Sequence, residues 1–157
     1  MRILMVCLGN ICRSPLAEGL MDHYAKEAGL DWEIDSAGTG GWHSGEQPHP
    51  LSQKVAKKNG IDISNQIAKV FVKEDIERFD RIFVMDQSNF EDVKSICGST
   101  WDSDKVDYLL NQINPGKNNA VPDPWSHPEE KYHEVFELIK NACCSFINGY
   151  LQERDLK

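Results

Sequence analysis

The sequence has 157 residues, of which 40% are hydrophobic, and this size and composition predict one compact domain, residues 1–157, with its own core. Acidic residues outnumber basic residues by 25 to 17, and the net charge of -8 opposes non-specific binding to nucleic acid or to anionic membrane surfaces. An anionic substrate therefore has to be captured by a local positive site that works against the overall field.

The amino terminus opens with a short apolar run, which Gly9 and Asn10 interrupt before it reaches the length of a signal peptide's apolar region. No stretch approaches the length needed to cross a membrane. The five cysteines are an odd number without framework spacing, which favours free thiols in a reducing compartment. These features together predict a cytoplasmic protein.

Predicted strands alternate with predicted helices along the chain, which is typical of a doubly wound parallel sheet. The apolar run 2–7 predicts a strand buried on both faces. Helical spacing then begins at Ser14, the predicted cap, with Pro15 at the first helical position and Gly29 as the stop. Hydrophobic periodicity also predicts strands at 32–34, 81–85 and 105–110 and helices at 50–59, 87–96 and 129–151.

The loop after the first strand is the strongest candidate for an anion site, because in parallel sheets this loop delivers backbone amides and a helix amino terminus to the ligand. Five residues separate Cys7 from Arg13, and Gly9 permits the backbone to curl into a bowl whose N–H groups point at one phosphate. Arg13 can then clamp two oxygens and hold the phosphorus in line with Cys7. The residues expected to bind phosphate are Leu8, Gly9, Asn10, Ile11, Cys12, Arg13 and Ser14.

Cys7 is the candidate nucleophile of this loop. The loop amides, the helix dipole and Arg13 all favour a negative charge on its sulfur, so a thiolate is expected at neutral pH. Ser14 can donate a hydrogen bond to that sulfur and help it leave a phosphoenzyme, and this role can coexist with helix capping. A buried cysteine alone is usually a small hydrophobic residue, but the joint pattern of residues 7–15 favours catalysis.

Asp123 is the candidate acid and base. A thiolate expels a phenolic oxygen poorly unless an acid protonates it, and a base must afterwards activate water. Pro122 and Pro124 fix the backbone around the Asp123 carboxylate, and Trp125 follows to stack on a substrate ring. Asp before Pro is also a common turn initiator, so the residues alone leave a catalytic carboxylate and a plain turn equally open.

Residues 6–15, VCLGNICRSP, together with Asp123 and Pro124, resemble the low-molecular-weight protein tyrosine phosphatases, and the match spans nearly the whole chain. The resemblance implies an α/β fold of three layers, with a four-stranded parallel sheet and helices on both faces. It also implies hydrolysis of phosphotyrosine in proteins and of small aryl phosphates through a cysteinyl-phosphate, without metal or cofactor. The implied roles are Cys7 as nucleophile, Arg13 as phosphate clamp and Asp123 as general acid and then base.

The same resemblance implies residues that brace the phosphate loop by hydrogen bonds, namely Asn10, Ser14 and Ser36. From the residues alone, Asn10 is only an asparagine that tolerates unusual backbone angles, and Ser36 is a serine that ends a strand. A histidine that helps to brace the loop in some family members is replaced in this sequence, where Asn65 is the nearest occupant. Its hydrogen bond is therefore either remade by another group or absent.

Further implied roles concern the cleft and its redox chemistry. Trp42 and Trp125 should wall the cleft and select an aryl phosphate, although both can also be partly buried loop anchors. Cys12 should form a disulfide with Cys7 under oxidant and spare the thiolate from irreversible oxidation. The family's eukaryotic members often have two tyrosines that are phosphorylated where this sequence has Trp125 and Ser126, so that regulation is not expected here.

Two other functions remain open on the sequence. A thiol-dependent arsenate reductase uses the same loop and fold but needs further cysteines as a relay, and only Cys97 is placed remotely suitably, since Cys143 and Cys144 are neighbours on a helix and point in different directions. A non-catalytic phosphotyrosine-binding module would keep the clamp without the chemistry, and the presence of Asp123 argues against it. The five histidines lack ligand spacing, so no metal site is predicted.

Overall fold

The computed structural model describes residues 1–156. Four parallel strands form one sheet in the order β2-β1-β3-β4, and helices cover both of its faces. The strands are β1 (Arg2–Cys7), β2 (Glu33–Gly38), β3 (Arg81–Val84) and β4 (Val106–Tyr108). The helices are α1 (Arg13–Glu27), α2 (Pro50–Lys58), α3 (Asp75–Arg78), α4 (Gln87–Cys97) and α5 (Glu129–Asp155), with 3-10 turns at Gly98–Thr100 and Leu109–Gln112.

Strand β1 lies between β2 and β3 and separates two hydrophobic cores. Ile3 and Met5 enter the core that α1, α2 and α5 cover, whereas Leu4 and Val6 enter the core that α3 and α4 cover. Because successive side chains of a strand point to opposite faces, a strand buried on both faces needs a continuous apolar run. The predicted α/β fold, with a parallel sheet between two helical layers, is confirmed.

The second strand differs from its prediction, since the apolar pattern indicated 32–34 and the strand runs over Glu33–Gly38. Asp35 and Ser36 interrupt the apolar pattern, but parallel pairing with β1 places Ser36 opposite Met5 and Gly38 opposite Cys7. The backbone hydrogen bonds of the ladder therefore override the weak strand preference of these residues. Helix α3 was not predicted, because four residues are too few to show a helical period.

Helix α1 begins two residues earlier than predicted, at Arg13 instead of Pro15, and Cys12 occupies the cap position without a capping side chain. The prediction that Ser14 caps this helix is wrong, because its hydroxyl turns toward Asn10 and Cys7 instead. Gly29 ends the helix as predicted, since its φ of 74° lies in the left-handed region that glycine adopts without strain. Within residues 1–156 no helix is long and apolar enough to cross a membrane.

The carboxyl ends of β1, β2 and β3 meet at one edge of the sheet, as they must in a parallel sheet. The loop after β1 touches the end of β2 so closely that a Cβ on Gly38 would lie 2.7 Å from the carbonyl oxygen of Leu8 and 3.0 Å from the amide nitrogen of Asn10. Glycine at position 38 therefore permits the loop after β1, which is the candidate phosphate-binding loop, to lie against β2.

Candidate active site

Neighbouring segments of the chain hold the loop between β1 and α1 by donating hydrogen bonds to its carbonyl groups. The amide that follows each of these outward carbonyls points the other way, and the amides of residues 9–12 have no hydrogen-bond acceptor within residues 1–156. A bowl of inward amides next to a helix amino terminus is a ready anion site. The outer bonds run from Thr39 N to Cys7 O (2.9 Å), from Gly40 N to Leu8 O (2.8 Å), from His49 N to Ile11 O (2.8 Å) and from Ser52 Oγ to Cys12 O (3.2 Å).

The tight curl of the loop rests on a different residue from the one expected. Asn10, not Gly9, occupies the left-handed region, with a φ of 56°, and asparagine is among the few residues that tolerate it. The missing side chain of Gly9 serves another purpose, since a Cβ there would lie 3.1 Å from the ring of His43. The glycine thus makes room for the imidazole that borders the loop.

A buried hydrogen-bond network braces the loop from below. Asn10 Nδ2 donates to Ser14 Oγ at 2.8 Å and to Ser36 Oγ at 3.0 Å, and Ser14 Oγ lies 3.0 Å from Cys7 Sγ. The backbone amide of Lys69 donates to Asn10 Oδ1 at 3.0 Å, which fixes the orientation of the Asn10 amide. The three residues that the family resemblance placed around the loop therefore lie together.

Asn65 takes no part in this network, because its side chain is exposed and makes no hydrogen bond within residues 1–156. Glu18 occupies the place at the end of the network, and its Oε1 accepts the hydroxyl of Ser36 at 2.7 Å. In this chain Glu18 and the amide of Lys69 hold the Ser36 and Asn10 side chains of the network.

Arg13 is buried and is oriented by two partners. Its Nη1 donates to Asp86 Oδ2 at 2.7 Å and to the carbonyl oxygen of Val121 at 2.9 Å. Burial opposes its charge, but the negative charges of Cys7 and Asp86 outweigh burial and raise the pKa of Arg13 above its ordinary value. With Nη1 engaged, the edge formed by Nε and Nη2 is the fork available to a phosphate.

Asp123 lies at the mouth of the site with 45% of its side chain exposed. Its Oδ1 accepts the backbone amide of Trp125 at 3.0 Å, and its Oδ2 lies 3.8 Å from Arg13 Nη2. The turn, which was one of the two alternatives left by the sequence, is therefore present, and the carboxylate in it also borders the cleft, while its catalytic role stays a prediction. The turn itself aims the second carboxylate oxygen into the site.

A cleft of about 140 Å³ opens over the loop and is walled by aromatic rings. Trp42 is 73% exposed and Trp125 is 48% exposed. The ring of Trp125 lies between the imidazoles of His43 and His49, at centroid distances of 5.5 and 5.6 Å. Apart from His49, these residues line the cleft together with Cys7, Leu8, Gly9, Ile11, Cys12, Arg13 and Asp123.

Asp86 and Glu18 are the site residues that sequence reasoning missed as functional groups. Asp86 follows β3, and its Oδ1 accepts the amide of Asn89 at the start of α4. Helix capping is enough to explain an aspartate at this position, so the bond from Arg13 to its Oδ2 was not expected from the sequence. The available signal was an acidic residue at the carboxyl end of the strand next to β1. Glu18 lacks any such signal, because a glutamate on a helix ordinarily faces solvent.

The other thiols lie outside the cleft except for Cys12. Burial raises the pKa of Cys12 to about 12, and its sulfur lies 3.7 Å from the Tyr132 hydroxyl. Its pairing with Cys7 under oxidant stays a prediction. Cys97 belongs to the core on the opposite face of the sheet, and Cys143 is fully buried against α1. Within residues 1–156, no three His, Cys, Asp or Glu side chains are grouped to hold a metal ion.

The fold and this edge of the sheet define an α/β protein whose first loop joins a thiol, a buried guanidinium and a bowl of amides. The family model described as low molecular weight phosphotyrosine protein phosphatase matches residues 2–156. The low molecular weight protein-tyrosine-phosphatase YfkJ of Bacillus subtilis is 35% identical over 156 residues, which cover 98% of each chain. The chain therefore belongs to the low molecular weight protein tyrosine phosphatase family, whose members are cysteine-dependent hydrolases.

Solved structures agree with this assignment. A protein tyrosine phosphatase from Entamoeba histolytica has a TM-score of 0.89 at 33% identity and covers 98% of this chain and 99% of its own. A Drosophila arginine phosphatase has a TM-score of 0.88 at 28% identity and covers 96% of this chain and 98% of its own. The predicted family and the prediction of an enzyme are thus confirmed, and the fold is shared by phosphatases named for different substrates.

Proposed function

We propose that the protein hydrolyses phosphotyrosine in proteins, and small aryl phosphates, through a phosphorylated Cys7. The observation that carries the proposal is the meeting of three groups in one narrow cleft, the Cys7 thiol, the Arg13 fork and the Asp123 carboxyl. Each group belongs to a different step of phosphoryl transfer, and none of the steps requires a metal ion.

In the first step, the amides of residues 8–13 and the Nε–Nη2 edge of Arg13 hold the phosphoryl oxygens. The Cys7 sulfur attacks phosphorus, the S–P bond forms, and the bond from phosphorus to the phenolic oxygen breaks. The Asp123 carboxyl delivers its proton to that oxygen, so tyrosine leaves as a neutral phenol. Asp123 lies 3.8 Å from Arg13, which supports its reach to the leaving group.

In the second step, water replaces the sulfur on phosphorus. The Asp123 carboxylate takes a proton from the water, a P–O bond forms, and the P–S bond breaks to release inorganic phosphate and the Cys7 thiolate. Ser14 lies 3.0 Å from the sulfur and donates a hydrogen bond to it as negative charge returns. The enzyme is thereby restored without any further reactant.

The cleft walls support an aryl substrate. Trp42 and Trp125 flank an opening whose floor also includes the apolar side chains of Leu8 and Ile11, and flat apolar walls suit an aromatic ring. The Drosophila arginine phosphatase makes phosphoarginine a second candidate substrate. A guanidinium leaving group favours carboxylate partners, and Asp123 is the single carboxylate among the cleft residues within 1–156.

The positions of the cysteines disfavour arsenate reduction. A disulfide relay needs a second and a third thiol that reach Cys7, and Cys12 is the one other thiol in the cleft. Cys97 is 2% exposed and packs on the other face of the sheet. Arsenate turnover with thioredoxin, in the absence of aryl phosphate hydrolysis, would favour an arsenate reductase over a phosphatase.

The test compares three substrates with three proteins. The wild type should hydrolyse p-nitrophenyl phosphate and a phosphotyrosine peptide, and a matched phosphoarginine peptide much more slowly. Cys7→Ser should lose turnover and still bind phosphate, whereas Asp123→Asn should lower kcat about 100-fold or more for the peptide, whose leaving group is poor. Equal activity of all three proteins toward the phosphotyrosine peptide would contradict the mechanism, and preference for phosphoarginine would contradict the substrate.

A further inference from the structure

Glu18 is a partly buried carboxyl that the mechanism above does not use. It lies on α1 and reaches across to β2, where its Oε1 contacts Ser36 Oγ at 2.7 Å. It thereby forms the far end of a hydrogen-bond chain that begins at the nucleophile. The chain runs from Cys7 Sγ to Ser14 Oγ (3.0 Å), Asn10 Nδ2 (2.8 Å), Ser36 Oγ (3.0 Å from Nδ2) and Glu18 Oε1 (2.7 Å).

An ionised Glu18 and the Lys69 amide together determine the direction of every hydrogen in this chain. A carboxylate only accepts, so Ser36 must donate its single hydroxyl hydrogen to Glu18. The Ser36 oxygen is then an acceptor for one Asn10 N–H, and the other Asn10 N–H goes to the Ser14 oxygen. The hydroxyl hydrogen of Ser14 is therefore left to point at the Cys7 sulfur.

A proton on Glu18 removes this constraint. The protonated carboxyl can donate to Ser36, and the Ser36 hydrogen then turns toward Asn10, where it competes with the amide N–H. The Asn10 amide cannot simply rotate to accept it, because its Oδ1 already accepts the Lys69 amide at 3.0 Å. The bond between Ser36 and Asn10 is then weakened, and the Lys69 amide alone holds the Asn10 side chain that positions Ser14.

We propose that Glu18 is a positioning residue for catalysis, whose carboxylate acts through Ser36 and Asn10 to aim the Ser14 hydroxyl at the Cys7 sulfur. This inference rests on the proposed function, since it concerns the same thiolate. The Ser14 donor matters most when negative charge returns to the sulfur during hydrolysis of the phosphoenzyme. Loss of the Glu18 acceptor should therefore lower kcat and KM together and leave kcat/KM, which reports the first step, nearly unchanged.

The surroundings of Glu18 place its titration in the working range of the enzyme. Burial raises the pKa of Glu18 to about 7, and the Ser36 hydroxyl opposes this rise. Asp35 on β2 and Asp22 on α1 raise it further, whereas Lys69, from the segment that packs beside β2, lowers it. Lys69 also pairs with Asp35, and Lys26 pairs with Asp22. The carboxylate form thus gains population as the pH rises through neutrality.

Protons reach Glu18 through a surface cavity of about 1030 Å³ that shares no residue with the catalytic cleft. Glu18 lines this cavity and is in contact with solvent there. Its pH response therefore depends on bulk pH and not on whether substrate fills the cleft. The other charged or titratable residues that line this cavity are Asp22, His23, Lys26, Glu27, Asp35, Asp62 and Lys69.

The experiment compares wild type with Glu18→Gln and Glu18→Ala from about pH 6 to about pH 8, one unit to each side of 7, with p-nitrophenyl phosphate as substrate. Glutamine retains an acceptor for Ser36 but does not titrate, so the ratio of wild-type kcat to that of Glu18→Gln should rise several-fold with a midpoint near 7. Alanine removes the acceptor, and kcat should fall about 10-fold with kcat/KM changed less than about twofold. Glu27→Gln, which removes an exposed carboxylate of the same helix and cavity, should match wild type.

A stability measurement separates positioning from a merely structural role. The ordinary pKa of this carboxyl is 4.5 and the folded protein raises it to about 7, so the folded state binds more protons between these values and the free energy of unfolding falls as the pH rises through them. In Glu18→Gln, which has no carboxyl at this position, the free energy of unfolding should fall less over this pH range. A kcat ratio that does not change with pH, or Glu18→Ala with wild-type kcat, would overturn the inference, whereas failure of the proposed function would leave wild type itself inactive on the aryl phosphate.

Discussion

Asp86 shows how a single carboxylate serves the fold and the site together. Its Oδ1 caps α4 and its Oδ2 holds Arg13 at 2.7 Å. Asparagine is as good a helix cap as aspartate, so an exchange to Asn separates the two functions. The negative charge beside Arg13 disappears, and the geometry of the cap remains.

We therefore expect Asp86→Asn to weaken phosphate binding about 10-fold or more, since a hydrogen bond between charged groups is lost, and to leave the melting temperature nearly unchanged. Asp86→Ala should lower both. Inorganic phosphate as a competitive inhibitor gives the binding constant, and Glu91→Gln on the exposed face of α4 is the control. Wild-type inhibition by phosphate in Asp86→Asn would show that Arg13 does not depend on this partner.

The redox pair is a second prediction at the residue scale. Peroxide oxidises the Cys7 thiolate to a sulfenic acid, and the Cys12 thiol then displaces water to form the disulfide. The raised pKa of Cys12 keeps it a thiol, so oxidation should begin at Cys7. Mass spectrometry after mild peroxide should detect the linked pair, and sulfinic or sulfonic acid on Cys7 without the linkage at any dose would end this idea.

The sequence indicated the residues of the cleft better than the residues that support them. Cys7 and Arg13 stand in one short segment, so their spacing alone indicated a common ligand, and the structure places both in the cleft. Glu18 and Asp86 act through residues distant in the sequence, and their partners Ser36 and Arg13 become neighbours only when β1, β2 and β3 align. No local pattern contains that information.

At the scale of elements, the close approach of the phosphate loop to β2 depends on Gly38. A methyl group there would lie 2.7 Å from the carbonyl oxygen of Leu8 and 3.0 Å from the amide nitrogen of Asn10. Both atoms belong to the backbone, which cannot move away easily. Gly38→Ala should displace the loop, weaken phosphate binding and lower the free energy of unfolding by about 1–3 kcal/mol. Phosphate inhibition and thermal unfolding measure the two effects.

Gly149→Ala provides the matched control for this exchange. Gly149 lies in α5, and a Cβ there meets nothing within 4 Å, so alanine should stabilise the helix by about 0.5–1 kcal/mol without any change in phosphate binding. Equal effects of the two exchanges would show that the contact at Gly38 does not hold the loop.

Elements with a long regular pattern were predicted closely, and those set by tertiary pairing were not. Helix α5 was expected at 129–151 and runs over Glu129–Asp155, since its apolar stripe is long. Strand β2 extends to Gly38 because β1 pairs with it, and β4 is reduced to Val106–Tyr108 because a 3-10 turn follows. A single domain over residues 1–157 stays a prediction, which limited proteolysis tests by the survival or division of the chain.

At the scale of the whole molecule, the net charge of -8 acts against anionic substrates. The repulsion is long-range and is screened by salt, whereas the buried Arg13 is screened much less. A phosphotyrosine peptide with lysine neighbours should therefore show kcat/KM at least about threefold above a matched peptide with glutamate neighbours at low salt. The difference should shrink as ionic strength rises, and a difference that persists at high salt would point to local contacts instead.

The cytoplasmic location and the nature of the protein substrate are whole-molecule proposals that rest on the thiols and the cleft. A Cys7→Ser variant retains the clamp without turnover and can trap phosphoproteins from a lysate of the source cells. We expect the trapped proteins to carry phosphotyrosine and to be released by an excess of inorganic phosphate. Capture that phosphate does not release would indicate contacts outside the cleft.

The central claim, a phosphorylated Cys7, is tested most directly by rapid quenching of Asp123→Asn with p-nitrophenyl phosphate. This substrate has a good leaving group, so the first step needs little acid, while the second step lacks its base and the intermediate accumulates. Mass spectrometry of the quenched protein should locate one phosphoryl group on Cys7, in an amount equal to the burst of nitrophenolate. A burst without any adduct on Cys7, or hydrolysis that continues in Cys7→Ser, would contradict the account.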